Sequence, residues 1–204
     1  MNQNPDTEAT VFIVDDDPAI RVAMQALMDS VNLRHEIFAS GDEFLENVDD
    51  HRAGCLVLDI RMPGLGGLEL QEELIKHGST LPIIFITGHG DVPMAVDAMQ
   101  KGAVDFIQKP FRDQDLLDRI REALKTDQER REEQQRHAEV AERLARLTNR
   151  EREVFDLVVT GKPNKVIAYE LGVSQRTVEI HRARVMEKMQ ARSLADLVKM
   201  HMTA

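Results

Sequence analysis

With 204 residues, 42% of them hydrophobic and 30% charged, the chain has room for one or two domains with ordinary cores and matches neither a disordered tail nor a membrane protein. No apolar run approaches the ~18 residues of a membrane span, the polar start MNQNPDTEAT lacks the core of a secretory signal, and a lone Cys55 supports neither an internal disulfide nor a cysteine zinc site. Net charge is −12 over residues 1–125, −1 over 126–147 and +3 over 148–204, so an acidic front and a mildly basic back predict two domains with different partners, the second a polyanion, although ordinary surface variation gives the same split; the single cysteine points to a reducing compartment, the cytoplasm.

The front half alternates short apolar runs with helical patterns. VFIV (11–14), CLVL (55–58) and PIIFIT (82–87) are continuous and rich in β-branched or aromatic residues, as strands buried on both faces must be, and weaker strands follow from HEIF (35–38) and VDFIQ (104–108). Between them Ile20, Ala23, Met24, Leu27, Met28 and Val31 recur at helical spacing, as do Leu68, Leu70, Leu74 and Ile75, and Leu116, Leu117, Ile120 and Leu124. Asp17 before Pro18 marks a helix start, and Ser40 with Glu43 spells a capping box. Five strands alternating with five helices predict a parallel sheet covered by helices on both faces.

From Asp113 to Leu147 there is neither proline nor glycine, and acid-to-base pairs stand at i, i+4: Asp127 with Arg131, Glu132 with Arg136, Glu139 with Arg143, Glu142 with Arg146. A solvated helical linker over 126–147 is predicted. A coiled-coil stalk has less support, because apolar heptads do not continue through 125–137. Beyond it, Thr148 with Glu151 spells another capping box, Gly161 closes a helix, Gly172 turns the chain and Ser174 caps a helix to about Met189. Two helices joined by a tight glycine turn predict a helix-turn-helix within a four-helix unit, 148–204.

In a doubly wound sheet, ligands bind beyond the carboxyl ends of the strands. Asp15, Asp16 and Asp17 follow the first strand, Asp59 ends the third, Thr87 ends the fourth and Lys109 follows the fifth. Clustered carboxylates favour a hard dication such as Mg²⁺, which leaves room for a phosphoryl group whose charge Lys109 can neutralise. Asp17 is better explained as a helix cap, Thr87 alone would be only a good strand residue, and Cys55 belongs to the core.

VFIVDDDP, CLVLDIRMPG, PIIFITGHGD and AVDFIQKPF together resemble the receiver domain of bacterial two-component response regulators over residues 10 to about 125. The resemblance implies a flavodoxin-like (βα)5 fold for domain 1–125, with Asp59 as phosphoacceptor and a sensor histidine kinase as donor. It implies Mg²⁺ on Asp15, Asp16, Asp59 and the Arg61 carbonyl, phosphoryl contacts from Thr87 and Lys109, a cis peptide before Pro110 and a switch at Phe106. Phe106 lacks the tyrosine hydroxyl of some relatives. The face made by the fourth helix, fifth strand and fifth helix dimerises in the family.

TNREREVFDLVVTGKPNKVIAYELGVSQRTVEIHRARVMEKMQARSLADLV resembles the LuxR-type helix-turn-helix, and the whole chain resembles the FixJ-type regulators. That implies double-stranded DNA with promoter half-sites, a homodimer on phosphorylation and RNA polymerase as partners. Lys162-Pro163 departs from the usual apolar residue and serine, yet proline suits a helix start. Val178, His181, Val185 and Met189 fall on one face and are expected in the core. Arg176, Thr177, Glu179, Ile180, Arg182 and Arg184, with Lys165 on the preceding helix, are left for DNA: arginines for phosphate or guanine, Glu179 for cytosine N4, Ile180 for a thymine methyl.

Two other functions compete. An aspartate-dependent phosphatase would use the same carboxylate and metal logic, but haloacid dehalogenase-type enzymes carry an acid two residues after the nucleophile, where Arg61 stands. An adaptor would bind protein through the back domain, against which the arginines argue.

Overall fold

The computed structural model describes residues 9–49, 52–88 and 92–203, apart from the side chains at 92, 93 and 95. The polar start and the HGD of the fourth-strand motif therefore lie outside the described residues. The chain divides into two compact units, Met1–Arg130 and Arg131–Ala204.

In the first unit β1 (Thr10–Val14), β2 (His35–Phe38), β3 (Gly54–Asp59), β4 (Ile83–Thr87) and β5 (Asp105–Gln108) alternate with α1 (Pro18–Ser30), α2 (Gly41–Asn47), α3 (Gly67–Lys76), α4 (Val92–Gln100) and α5 (Asp113–Ala145). The sheet is parallel throughout, in the order β2-β1-β3-β4-β5, the doubly wound arrangement expected. Every residue of β1, β3 and β4 is buried, which is why these strands are continuous apolar runs. Alternate residues feed two cores: Phe12, Leu56, Leu58 and Phe85 meet Phe44, Leu70 and Leu74, while Val11, Ile13, Val57 and Ile84 meet Met24, Met28, Leu116 and Ile120.

The helix starts follow the expected chemistry with one variation. Asp17 Oδ1 accepts from the Ala19 amide at 2.8 Å. Ser40 Oγ accepts from Glu43 N at 3.2 Å, but the Glu43 carboxylate takes the Ala39 amide at 2.7 Å, one residue before the cap. Ile75, expected in the core, is 51% exposed, because Leu70, Gln71 and Leu74 already fill the buried face of α3 and its next position turns about 100° away.

Helix α5 continues unbroken through the segment expected as a linker. Asp127, expected on a solvated face, is buried in the first unit, whereas Val140 and Leu144 join the core of the second. The pairs Glu139 with Arg143, at 3.5 Å, and Glu142 with Arg146 are present. The second unit adds α6 (Asn149–Val159), α7 (Asn164–Leu171), α8 (Gln175–Lys188) and α9 (Leu194–Met202). Thr148 and Glu151 close a full capping box, Ser174 Oγ accepts from Thr177 N, and Gly172 makes the α7–α8 turn at φ 63°, in the left-handed region that favours glycine. Val154, Phe155, Val158, Ile167, Val178, Val185, Met189 and Leu197 form its core. Among the described residues no helix is long and apolar enough to cross a membrane.

Candidate functional site

The carboxyl ends of β1, β3, β4 and β5 carry Asp15, Asp59, Thr87 and Lys109. Lys109 Nζ donates to Asp59 Oδ1 at 2.6 Å and to Asp15 Oδ2 at 3.0 Å, so one ammonium joins two nearly buried carboxylates from neighbouring strands. The remaining oxygens are held by the loops: Asp59 Oδ2 accepts from the Arg61 amide at 2.8 Å, and Asp15 Oδ1 from the Asp17 amide at 2.9 Å. Burial pushes the Asp59 carboxyl above its ordinary range and Asp15 adds to this, while Lys109 and the Arg61 amide oppose it. Burial pulls Lys109 down, yet its two carboxylate partners outweigh that and hold it above an ordinary lysine.

Asp16 is exposed and does not complete the trio; among the described residues no three acidic, histidine or cysteine side chains are grouped closely enough for one ion. The side chains of Asp15 and Asp59 nonetheless offer hard oxygens, and their two charges exceed the one that Lys109 neutralises, which fits Mg²⁺. Thr87 is buried one position beyond Ile86, the register partner of Asp59, and its carbonyl accepts from Lys109 N at 2.7 Å. Phe106 is half-buried, pairs with Phe85 in the sheet and packs on that core. The Lys109-Pro110 peptide is cis.

Two supporting residues escaped sequence reasoning. Arg21 Nη1 donates to the carbonyls of Asp15 and Asp16, each at 2.8 Å, and so ties α1 to the acidic loop. At Gly67 a Cβ would stand 2.3 Å from the Asp59 carbonyl oxygen, so only glycine lets α3 start against the end of β3. The Gly66-Gly67 pair was the available signal.

In the second unit Arg176, Glu179, Ile180 and Arg184 of α8 and Lys165 of α7 are exposed, as a docking surface requires. Thr177 is half-buried, with its hydroxyl 2.8 Å from that of Ser174. Arg182 is half-buried too, and its Nη1 donates to Asn164 Oδ1 at 3.1 Å, tying α8 to the start of α7. Val178, Val185 and Met189 are buried, but His181 sits at the core's edge, its Nδ1 buried with no hydrogen-bond partner among the described residues. Lys188 points inward: its ammonium donates to Glu151 at 2.5 Å and to the Arg146 carbonyl at 3.1 Å. That bond, with the Thr148 amide, holds the Glu151 carboxyl down to about 2.

A parallel five-stranded sheet with this carboxylate and lysine cluster, followed by a helix-turn-helix unit, defines a phosphoacceptor module joined to a DNA-binding one. Residues 11–121 match the response regulator receiver domain, and residues 145–201 match the luxR family of bacterial regulatory proteins. The chain belongs to the bacterial two-component response regulators of the FixJ type, with a receiver domain and a LuxR-type DNA-binding domain. It is 49% identical over 197 residues to nodulation protein W of Bradyrhizobium diazoefficiens, covering 97% of this chain and 87% of that one. With the transcriptional regulatory protein FixJ of Azorhizobium caulinodans it shares 44% over 194 residues, 95% of this chain and 92% of the relative. The solved structure of the response regulator StyR is similar at a TM-score of 0.89 and 43% identity, over 97% of this chain and 100% of that one.

Proposed function

We propose that Asp59 accepts a phosphoryl group from a sensor histidine kinase in the cytoplasm and that this controls dimerisation, DNA binding and transcription. The observation that carries the reading is the Lys109 ammonium within 3.0 Å of both Asp59 and Asp15 at the strand ends. In the transfer, the N–P bond of a phosphohistidine breaks as a bond forms from an Asp59 carboxylate oxygen to phosphorus. The histidine nitrogen keeps the electron pair and takes up a proton. Asp15, Asp16, Asp59 and the Arg61 carbonyl are the residues that would hold Mg²⁺, which supplies neutralisation of phosphoryl charge. Lys109, kept firmly charged, pairs with a phosphoryl oxygen, and the Thr87 hydroxyl donates to another.

The product adds roughly 1.5 to 2 negative charges near pH 7. As Thr87 moves toward it, Phe106 turns inward, driven by apolar burial alone because it has no hydroxyl to bond. The face of α4, β5 and α5 then pairs with a second copy, which places two DNA-binding units on promoter half-sites with RNA polymerase as the further partner. Helix α8 enters the major groove, where Arg176, Thr177, Glu179, Ile180, Arg182 and Arg184, with Lys165 on α7, face the duplex.

The test combines sedimentation and DNA binding with and without acetyl phosphate in Mg²⁺ buffer. Phosphodonor should raise both mass and DNA affinity in the wild type and neither in Asp59→Asn. A fully modified protein that stays monomeric, or binds DNA no more tightly, contradicts the reading.

A further inference from the structure

The buried stripe of α5 is Leu116, Ile120 and Ala123, and the next position on that stripe is a carboxylate, Asp127, 1% exposed. Its Oδ2 accepts from the Gly54 amide at 2.9 Å, a bond across 73 residues. Arg130, one turn on, donates to Asp127 Oδ1 and to the Thr80 carbonyl just before β4. Gly54 is fitted to this contact. It sits at φ +147°, and a Cβ there would come within 1.8 Å of the Thr10 carbonyl oxygen, so no other residue presents its amide to α5 in this way. The neighbouring Cys55 thiol is pushed up to about 12 by burial and by the charge of Asp127.

Gly54 is the first residue of β3 and Asp59 the last, so a single strand carries the phosphoacceptor at one end and the α5 clamp at the other. Helix α5 itself starts four residues after Lys109 and continues to Ala145, beyond Val140 and Leu144 of the second unit's core. A buried carboxylate is costly unless paired, and here it holds a fixed point rather than filling space. We propose that Asp127 is a positioning residue: it pins α5 to the far end of β3, so that the helix turns about this point when the phosphoacceptor end rearranges and transmits the change along its length. This rests on the proposed control of DNA binding by phosphorylation at Asp59.

The test uses the full chain and a 30-base-pair duplex, about three turns of DNA, selected from a random pool by the acetyl phosphate-treated wild type. Acyl phosphate and DNA affinity are measured with and without acetyl phosphate. In the wild type, phosphorylation should raise affinity by a factor in the range of about 5 to 150 typical of allosteric coupling. Asp127→Ala should reach the wild-type acyl phosphate level while its affinity gain falls below about twofold, under the bottom of that range. Asp127→Asn, which keeps an oxygen for the Gly54 amide, should restore most of the gain. A purely structural Asp127 would lower the receiver's melting temperature and leave the gain at its wild-type value, and that outcome overturns the inference. If Asp127→Ala loses cooperative unfolding, Asp127→Leu decides: it fills the space with an apolar side chain and removes the Gly54 bond, and an undiminished gain overturns the proposal while a reduced one supports it. Absence of any gain in the wild type instead contradicts the phosphorylation reading itself.

Discussion

Replacing Glu151 tests what holds the DNA-binding unit together. The side chain is 2% exposed, accepts from the Thr148 amide at 2.9 Å to close the α6 capping box, and receives the Lys188 ammonium from the end of α8. Loss of the cap costs about 1 kcal/mol. Breaking a fully buried pair from one side costs about 3–5 kcal/mol, but Lys188 keeps a third of its side-chain surface in water, which reduces its share to about 1–2 kcal/mol. Glu151→Ala should therefore cost about 2–3 kcal/mol and, at ~4–8 °C per kcal/mol for a unit of this size, lower its melting temperature by about 10–20 °C. Glu151→Gln, which keeps the capping oxygen, should cost about half as much, the ion-pair share alone. Calorimetry of the full chain reads this in the transition that Asp59→Asn leaves in place.

The sign with pH follows from the carboxyl being held at about 2 against an ordinary 4.5. A depressed acid contributes stability that is complete above 4.5 and lost as pH falls toward 2, so wild type and Glu151→Ala should converge across that window. A melting temperature within ~2 °C of wild type at pH 7, well under 1 kcal/mol for such a unit, would refute the assignment.

For Asp59 the sign is opposite. Burial raises its folded value above the ordinary 3.8, so the charged form destabilises the receiver near neutral pH and that cost lifts as pH falls toward 3.8. Asp59→Asn should melt higher than wild type at pH 7 and lose the advantage on acidification; a lower melting point at pH 7 counts against the burial argument. On α8, Arg184→Ala should weaken binding to all sequences and reduce the salt slope by roughly 0.9 for each phosphate left without its arginine. Arg182→Ala should also loosen α7 through Asn164, and an unchanged affinity in both variants rules out this docking face. Glu179→Ala should relax preference at one base position, by about 1–3 kcal/mol, measured by competition among single-substitution duplexes. An unchanged preference would place base readout elsewhere.

Strands and helix starts were legible because they depend on local chemistry: a strand buried on both faces must be apolar throughout, and an orphan helix amide takes the nearest side-chain oxygen. Asp59, Asp15, Thr87 and Lys109 were legible for a topological reason, since strand ends in a doubly wound sheet converge. Partners were not. Asp127 and Arg131 look like an ordinary helix pair, and nothing local announces a glycine amide 73 residues away. The same holds for Glu151 with Lys188 and for Asn164 with Arg182, whose members meet only after the helices pack. Ile75 fits an apolar pattern by count, yet helix rotation past Leu74 carries it into solvent.

Control by phosphorylation turns on one carboxylate, Asp59, and peptide mapping of the acetyl phosphate-treated protein by mass spectrometry tests this. A single acyl phosphate is expected, on Asp59, that depends on Mg²⁺ and disappears in Asp59→Asn. Undiminished modification in Asp59→Asn, or phosphate on Asp15 or Asp16 in the wild type, would contradict it.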